Sequence, residues 1–358
     1  MTAGRDALFT PRSEAGEKLY SMIKKIAIFS GIFFVIQATS NFCLQEKELT
    51  DEEFYDAVLM KHFENKNNKV IAAECPDPKD NSTCLYIIDR IGYFKDGTWF
   101  VARFLTPAPH LMKGFLSISR LAKPVFKTNR TANTAEWPVD VGYMDPLTPN
   151  AVEFTTLFST GHFPLNHDIT RDVTFLGVAT GGLMSFMAEY FKNMKLTGVD
   201  IDPQSEYLAK KWFGYQNRKN DRIFIADGAE FIKQMAENGE TSDAVLVDAC
   251  HNTEPVDDIY CPVAPIRTPE FLDNLSKVIG TKGMTTFNVY IQKATIDNYE
   301  RMRDDFSKHF HDCKLINSKH LLANMFLVCS NKGIYDNGVD VNKTKKFLRN
   351  MKIEQFLV

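Results

Sequence analysis

Residues 175–186 read FLGVATGGLMSF, an apolar run that passes through a turn of small residues into a helical pattern. Gly177 and Gly181 permit a tight turn, and they let a ligand approach the backbone at the positive end of the following helix. The bare glycine pattern is weak evidence, but its place between a strand and a helix strengthens it. The stretch therefore predicts a ligand-binding turn, with a plain tight turn as the alternative.

The chain around this turn alternates between buried strands and helices. From Arg171 onward, helical patterns separate the apolar strand patterns VTFLGVA, KLTGVDID, DRIFIADG and SDAVLVDAC. Continuous apolar strands alternating with helices indicate a parallel sheet covered on both faces. The patterns CKLINS and NMFLVCS are joined by a short loop, so these closing strands must be antiparallel. We expect an α/β fold with a Rossmann-like, mostly parallel sheet.

Three aspartates end successive strands of this sheet. Asp200 follows the second strand, Asp227 the third and Asp248 the fourth. In an open α/β sheet, ligands bind outside the carboxyl ends of the strands, so the three acids should face one crevice. A carboxylate at Asp200 can accept hydrogen bonds from both ribose hydroxyls of a nucleotide. Asp227 is either an acid that faces adenine or an ordinary helix N-cap.

The motifs GVATGG, GVDIDP, IADGAEF and DAVLVDAC stand in the order found in class I S-adenosylmethionine-dependent methyltransferases. They resemble the spermidine-synthase-like branch more closely. Within that branch, KKWFGYQ followed by DRIFIADGAEFI, and later CPVAPIRTPEFLDNLSKVIGTKGMTTFNVY, resemble the C-terminal module of the methyltransferase-like proteins that modify eukaryotic elongation factor one-alpha. The similarity covers residues 160–332. The resemblance implies a seven-stranded sheet with an antiparallel last strand, the cofactor S-adenosyl-L-methionine, and transfer of a methyl group.

The same resemblance implies roles for individual residues. Each motif contributes one part of the site: a cofactor turn at Gly177 and Gly181, a ribose ligand at Asp200, an adenine site at Asp227 with Gly228 or Ala229, and Asp248 beside the transferred group. Asp248 or a neighbouring group would orient or deprotonate the acceptor, which would be a small molecule or a protein. No metal site is expected, because H-E-x-x-H and paired C-x-x-C motifs are absent from the sequence.

Two positions depart from the family's pattern. Ala179 stands where the family usually has glycine, and a methyl group is tolerated there if the backbone φ is negative. Spermidine synthases carry a second acid after the fourth strand, whereas here ACHNTEP follows Asp248 and only Glu254 is acidic. His251 in that loop is a candidate general base, or else a solvated loop histidine.

These departures keep two alternatives to the methyltransferase open. One is a catalytically silent binding module that retains the fold. The other is a polyamine aminopropyltransferase, which would use decarboxylated S-adenosylmethionine.

The N-terminal region has the pattern of a membrane-targeting segment. A polar head at 1–25 ends in Lys24 and Lys25, and the uncharged stretch 26–44 is just long enough to cross a hydrocarbon layer of about 30 Å. A signal anchor, a cleaved signal peptide and a buried core helix are the three interpretations. The anchor predicts a single-pass membrane protein with a lumenal or extracellular catalytic domain, secreted if the segment is cleaved.

Composition and cysteine spacing complete the predicted organisation. A β-rich domain at 45–160, with a hairpin in CLYIIDRIGYF and TWFVARFL, precedes the methyltransferase domain at 161–332 and a C-terminal tail at 333–358.

The net charge of −3 gives no general attraction to nucleic acid, so no such partner is expected, and a homodimer is a candidate assembly. Six cysteines are sequence neighbours that form either local disulfides or buried thiols: Cys75 with Cys84, Cys250 with Cys261, and Cys313 with Cys329.

Overall fold

The protein is described by a computed structural model over residues 48–353, apart from 78, 80–82, 95, 108–115, 146–147, 318–323 and 337. The described part contains a four-stranded sheet and an eight-stranded sheet. With their helices they make a mixed α/β architecture, in which a separate antiparallel sheet precedes a Rossmann-like sheet.

A helix and an antiparallel sheet form the N-terminal part. The helix, α1, runs through the consecutive segments Asp51–Phe54, Tyr55–Leu59 and Met60–His62. The strands follow in chain order: β1 Asn68–Glu74, β2 Leu85–Tyr93, β3 Trp99–Thr106 and β4 Ser117–Arg120. Each strand pairs antiparallel with the next one, and the pairing of β2 with β3 confirms the predicted hairpin.

Aromatic side chains build the core of this part. Phe54 of α1 packs against Trp99 and Trp137, with ring centroids 6.4 and 6.1 Å away. All three side chains are buried. Large rings contribute much of the hydrophobic stabilisation of a small core, so this cluster holds α1 against the sheet.

The second sheet and its helices occupy the rest of the described chain. Its strands are β5 Asp172–Leu176, β6 Lys195–Asp200, β7 Asp221–Ile225, β8 Ala244–Val247, β9 Ile259–Cys261, β10 Met284–Ile291, β11 Asp312–Asn317 and β12 Met325–Ser330. The helices are α2 Pro149–Ser159, α3 Gly182–Tyr190, α4 Ser205–Trp212, α5 Gly228–Glu237, α6 Pro269–Ile279, α7 Ile296–Phe306 and α8 Val341–Asn350. Short 3₁₀ turns lie at Asn129–Ala132, Thr134–Glu136 and Ala264–Arg267.

The order of the strands places a ligand-binding edge in this sheet. The order is β11-β12-β10-β8-β5-β6-β7, and β9 pairs with β10 outside this path. The strands β5, β6, β7, β8 and β10 are parallel, whereas β12 is antiparallel to both of its neighbours. The predicted mostly parallel sheet with antiparallel closing strands is therefore confirmed. The chain order reverses between β5 and β8, and open α/β sheets bind ligands at such a switch point.

Two apolar clusters cover the two faces of this sheet. One joins the strands to α2, α3 and α8, and it includes Phe154 and Phe186. The other joins them to α5, α6 and α7, and it includes Phe271 and Phe306. Helix α8 packs against α2 and has the spacing of an amphipathic helix, because its buried side chains are Thr344, Phe347 and Leu348.

Three disulfides join the cysteines that are neighbours in the sequence: Cys75–Cys84, Cys250–Cys261 and Cys313–Cys329. The structure thus has the local disulfides and not the alternative of buried thiols. Cys250–Cys261 closes the loop that follows β8, so it constrains the chain directly after Asp248.

The predicted membrane location needs correction. Among the residues that the structure describes, no helix combines the length and the apolar character needed to span a bilayer. Even the continuous helical run of α1 would extend only about 18 Å, against a hydrocarbon layer of roughly 30 Å. The predicted single-pass, lumenal or extracellular location is therefore not supported. The segment 26–44, from which it was inferred, lies outside the described residues.

Candidate active site

The turn after β5 requires glycine at its first position. Gly177 has a φ of +85°, and its N–H donates a hydrogen bond to the carbonyl of Val199 at 2.9 Å. A Cβ added there would lie 2.3 Å from the backbone carbonyl oxygen of Asp248. Because that atom belongs to the main chain of β8's end, no side-chain movement could relieve the clash. Strands β5 and β8 therefore meet closely at the switch point only because residue 177 is glycine.

The turn ends in the N-cap of helix α3. Gly181 occupies the N-cap with a φ of +67°, a left-handed conformation that glycine adopts easily. A Cβ there would meet only ordinary contacts, 3.4 Å from the Tyr215 ring, so conformation and not space favours glycine. Thr180 is hydrogen-bonded to Ser117 of the N-terminal sheet through the two side-chain oxygens. This bond ties the turn to β4.

Ala179 adopts a left-handed backbone conformation, with a φ of +48°. A negative angle was the condition under which its methyl group would be tolerated, and the structure does not meet it. A non-glycine residue in this region costs about 1–2 kcal/mol, because Cβ approaches the following carbonyl oxygen. The turn thus has a backbone conformation that glycine would adopt without strain, and Ala179 adopts it at an energetic cost.

This strain predicts that Ala179→Gly stabilises the protein. The relief of the left-handed strain outweighs the extra entropy of glycine in the unfolded chain, for an expected net gain of about 0.5–1 kcal/mol. Urea unfolding measures the change. As a control, Ala236→Gly in the last turn of α5 should destabilise by about 0.5–1 kcal/mol, because this residue has a helical backbone that favours alanine over glycine. A loss of stability in Ala179→Gly would contradict the strain.

Asp200 lies at the end of β6 and holds the turn through its carboxylate. One oxygen, Oδ2, accepts hydrogen bonds from the N–H groups of Val178 and Ala179, both at 2.8 Å. The other, Oδ1, accepts from the N–H of Asp202 at 2.9 Å. A carboxylate offers about four lone-pair positions, so about one remains for a ligand. Asp200 could therefore accept one ribose hydroxyl in this arrangement, rather than the two expected from the sequence.

Asp227 is the N-cap of α5. Its Oδ1 accepts hydrogen bonds from the N–H groups of Ala229 at 2.8 Å and Glu230 at 3.1 Å, and the residue is exposed. This is the N-cap alternative that the sequence left open, and it does not prevent Oδ2 from binding a ligand. Gly228 sits against Leu176 with room for ordinary contacts.

Ile201 is an exposed apolar residue at the ligand-binding edge of the second sheet, and it was not selected from the sequence. It follows Asp200 directly and is 73% exposed. An isolated exposed isoleucine is common on protein surfaces. Here it stands between two polar neighbours at the ligand-binding end of β6, where it offers a flat base an apolar surface. Its signal in the sequence was the apolar residue inside DID.

Asp248 lies at the end of β8, against the glycine turn. Its backbone N–H donates to the carbonyl of Leu176 at 2.8 Å, and its Oδ1 accepts from Nδ2 of Asn288 at 2.7 Å. Burial raises the pKa of Asp248 to about 6, although the hydrogen bond from Asn288 opposes this shift. Asn324 in turn donates to Oδ1 of Asn288 at 2.8 Å, which fixes the orientation of the Asn288 amide. The polar residue inside the apolar strand MTTFNVYI was the signal for Asn288.

A small cleft joins Asp248 to the turn. We call it the inner cleft, and its lining includes Asn150, Glu153, Gly177, Gly181 and Asp248. The structure therefore brings three of the residues selected from the sequence into one cavity. Asp200, Asp227, Gly228 and Ala229 are not part of that lining.

Glu153 is the acid in the inner cleft that sequence analysis missed. It projects from α2, is only 2% exposed, and its Oε1 has no hydrogen-bond partner among the described residues. Burial, followed by the nearby charge of Asp248, raises the pKa of Glu153 well above its ordinary range. Its signal in the sequence was an acid within the otherwise apolar run AVEFTTLF.

The loop after Asp248 does not supply a second acid to the cleft. Glu254 is exposed, and His251 is half-buried with its backbone N–H donating to the carbonyl of Tyr260 at 2.8 Å. Neither residue belongs to the lining of the inner cleft. The sulfurs of Cys250 and Cys261 lie within 4.8 Å of the Asp248 carboxylate, but they are joined in a disulfide and are not thiolate ligands.

Comparisons with known proteins support the class that these motifs indicate. No protein-family model matches the chain. It is 28% identical to the eEF1A lysine and N-terminal methyltransferase homolog of Drosophila melanogaster over 129 residues, which are 36% of this chain and 19% of that protein. It is 23% identical to the polyamine aminopropyltransferase of Vibrio vulnificus over 143 residues, 40% of this chain and 46% of that protein. The chain thus spans about a fifth of the length of the curated eEF1A methyltransferase that it matches.

Among solved structures, the chain matches that of human methyltransferase-like protein 13 in complex with SAH. The TM-score is 0.49 at 16% identity, covering 60% of this chain and 95% of that one. The curated relatives confirm the resemblance to class I S-adenosylmethionine-dependent methyltransferases with spermidine-synthase-like members.

Proposed function

We propose that the protein is an S-adenosylmethionine-dependent methyltransferase. One observation carries the proposal: Gly177 lies directly against the backbone of Asp248, and both residues line the inner cleft. A glycine turn, a helix N-terminus and a buried acid bound this cleft. The curated methyltransferases to which the chain is similar support the same activity.

The residues present fit the cofactor. Gly177 and Gly181 both line the inner cleft without a side chain, and helix α3 begins directly after Gly181. Asp200 would bind one ribose hydroxyl, Ile201 would cover a face of the adenine, and Asp227 would face its edge. When bound, S-adenosyl-L-methionine supplies an electrophilic methyl group.

Asp248 would orient the acceptor and take its proton. Because its raised pKa lies near 6, it is ionised at neutral pH yet basic enough to accept a proton. Asn288 holds one carboxylate oxygen, so the other is the oxygen available to the acceptor. Most of the rate enhancement would come from holding donor and acceptor in line.

A calorimetric titration of the full chain tests the proposal. S-adenosylmethionine and its decarboxylated form are each added to wild type and to Asp200→Asn. We expect wild type to bind S-adenosylmethionine and the variant to bind it at least ten-fold more weakly, since it loses a turn-holding acceptor worth about 1.5–3 kcal/mol. Selective binding of the decarboxylated form would indicate the aminopropyltransferase, which the Vibrio relative favours. Binding of neither would indicate the silent module.

The acceptor is proposed to be a protein or a small molecule. The names of the relatives favour a protein acceptor that carries an amine, but they describe proteins of which this chain covers only a part. The homodimer stays a prediction.

A further inference from the structure

Glu153 is a buried acid with no evident structural purpose. It lies in the middle of α2, whose neighbouring residues Val152 and Phe154 are core side chains. Burying a carboxyl group without a hydrogen-bond partner is costly, so such a group is retained either by chance or because something binds it. Its unpartnered oxygen belongs to a residue that lines the inner cleft, where a ligand would meet it.

The surroundings of Glu153 contain a second acid and no cation. Among the described residues that line the inner cleft, Glu153 and Asp248 are the only charged types, and the rest are apolar, glycine or asparagine. Two carboxyl groups in one poorly solvated cavity cannot both be ionised without a positive partner. The two acids by themselves therefore suit one negative charge, and a cation beside them would allow two.

We propose that Glu153 is the second acid of the active site, and that with Asp248 it forms a carboxyl pair which binds a primary ammonium group. The inference rests on the proposed function, which it deepens by naming the chemical class of ligand. The acid that the loop after β8 lacks is thus supplied by α2, from a distant part of the chain.

An outer cleft adjoins the inner cleft. It shares Asn150 with the inner cleft and is lined by Asp140, Asp145 and Tyr143. Ser185 also lines it with a buried Oγ that has no hydrogen-bond partner among the described residues. Arg120 neutralises Asp140 through an ion pair, so the outer cleft is polar without being strongly charged. The proposed amine would therefore approach the acids from the side of Asn150.

The charge balance of binding predicts a released proton. Before an amine binds, the pair carries one proton and one negative charge. When an R–NH₃⁺ group enters, the shared proton leaves to solvent, and the two carboxylates face one ammonium. In the later transfer, the ammonium gives a proton to a carboxylate and its lone pair forms the N–C bond, while the electrons of the breaking S–C bond stay on the donor's sulfur.

The groups that face the pair are few. Asp248 is the charged group that acts on Glu153, and Asn288 is the hydrogen-bond donor that acts on Asp248. Burial raises the pKa of both acids, and the two titrate as a pair. The Cys250–Cys261 disulfide beside Asp248 does not titrate.

Proton release is measurable by calorimetry in buffers of different ionisation enthalpy. Butylamine and S-adenosylhomocysteine serve as separate probes, because the ammonium could belong to the acceptor or to the amino-acid end of the cofactor. We expect about one proton released per ligand from wild type near pH 7 with the probe that reaches the pair, and about none from Glu153→Gln. The exposed acid Glu189 supplies the matched control Glu189→Gln, which should behave as wild type.

The outcomes separate the sources and decide the proposal. Release with butylamine assigns the ammonium to the acceptor, and release with S-adenosylhomocysteine alone assigns it to the cofactor. Release that is unchanged in Glu153→Gln, or release with neither probe, overturns the proposal. Failure to bind S-adenosylhomocysteine at all would count against the proposed methyltransferase, and would leave the butylamine result to stand by itself.

Infrared spectroscopy of the protein without ligand gives an independent readout. Wild type should show the C=O stretch of a buried protonated carboxyl group near pH 7. The band should be absent in Glu153→Gln and retained in Asp248→Asn, because burial alone keeps Glu153 protonated. If wild type lacks this band, the pair does not hold a proton and the proposal is wrong. This outcome needs no variant to fold.

The same proton makes stability depend on pH. Above the ordinary pKa of glutamate the unfolded chain has lost this proton while the native chain keeps it, so stability falls as pH rises toward the raised pKa of Glu153. Glu153→Gln removes that loss. We therefore expect the difference in melting temperature, variant minus wild type, to be more positive at pH 8 than at pH 5, and a difference independent of pH would contradict a raised pKa.

Discussion

Gly177→Ala is expected to destabilise the protein by about 2–5 kcal/mol and to abolish cofactor binding. The left-handed φ of +85° contributes one part, as for any residue with a Cβ. The overlap with the Asp248 carbonyl at 2.3 Å contributes the other, because β5 and β8 must separate to admit the methyl group. Urea unfolding measures the first effect and calorimetry with S-adenosylmethionine the second.

Gly97→Ala is the matched control for this change. Gly97 has the same φ of +85°, in the turn between β2 and β3, but nothing lies within 4 Å of its added Cβ. It should therefore show only the conformational cost of about 1–2 kcal/mol. Equal losses in the two variants would mean that the close approach at the switch point contributes nothing.

Arg103→Met should cost about 3–5 kcal/mol, because it leaves the buried carboxylate of Asp89 without its partner. Arg103 donates from Nε and Nη2 to the two oxygens of Asp89 at 2.8 and 2.9 Å, and both side chains are almost fully buried. The guanidinium also donates to the carbonyls of Thr134 and Trp212. It thus links β3 to the end of α4 and joins the two sheets.

Two comparisons check the origin of this loss. Lys210→Met breaks the exposed pair with Glu206 on α4 and should cost less than about 0.5 kcal/mol. The double variant Arg103→Met with Asp89→Leu should recover part of the stability, since it removes the unpaired charge but leaves two carbonyls unsatisfied. A midpoint of denaturation in Arg103→Met that matches wild type would refute the structural role of the pair.

The strands and the glycine turn could be predicted because their signals are local. Apolar strands such as VTFLGVA need only a buried environment, and the turn needs residues that permit a positive φ at Gly177 and Gly181. Disulfide pairing was limited to neighbours by spacing, although the sequence left free thiols open. The positive φ of Ala179 could not be predicted, since alanine gives no local reason to adopt it.

Helices α2 and α8 were not predicted, for opposite reasons. Most side chains of α2 are buried on every side, so its sequence lacks the polar face that reveals an amphipathic helix. Helix α8 has four basic residues and few apolar ones, so VNKTKKFLRN resembles a tail, and only its packing against α2 buries its apolar side. In both cases the neighbouring elements determined the helix, and not the local pattern.

The parts of the site that come from distant segments were likewise beyond the sequence. Asp248 was selected because strand ends carry ligands in this fold, whereas Glu153 and Asn288 act only through their placement beside it. Each is a polar residue in an apolar run, a pattern that more often marks a satisfied core residue than a functional one. The resemblance to a known family helped to select Asp248, but it gave no guidance on Glu153 or Asn288.

The contact between α2 and α8 has a consequence for how the chain is made. The tilted rings of Phe158 and Phe347 pack with their centroids 5.2 Å apart, although one residue follows the N-terminal sheet and the other lies beyond the last strand. As the polypeptide leaves the ribosome, α2 emerges long before the helix that shields it. Until α8 has been synthesised, the apolar surface of α2 that it covers stays exposed, where it can bind chaperones or cause aggregation.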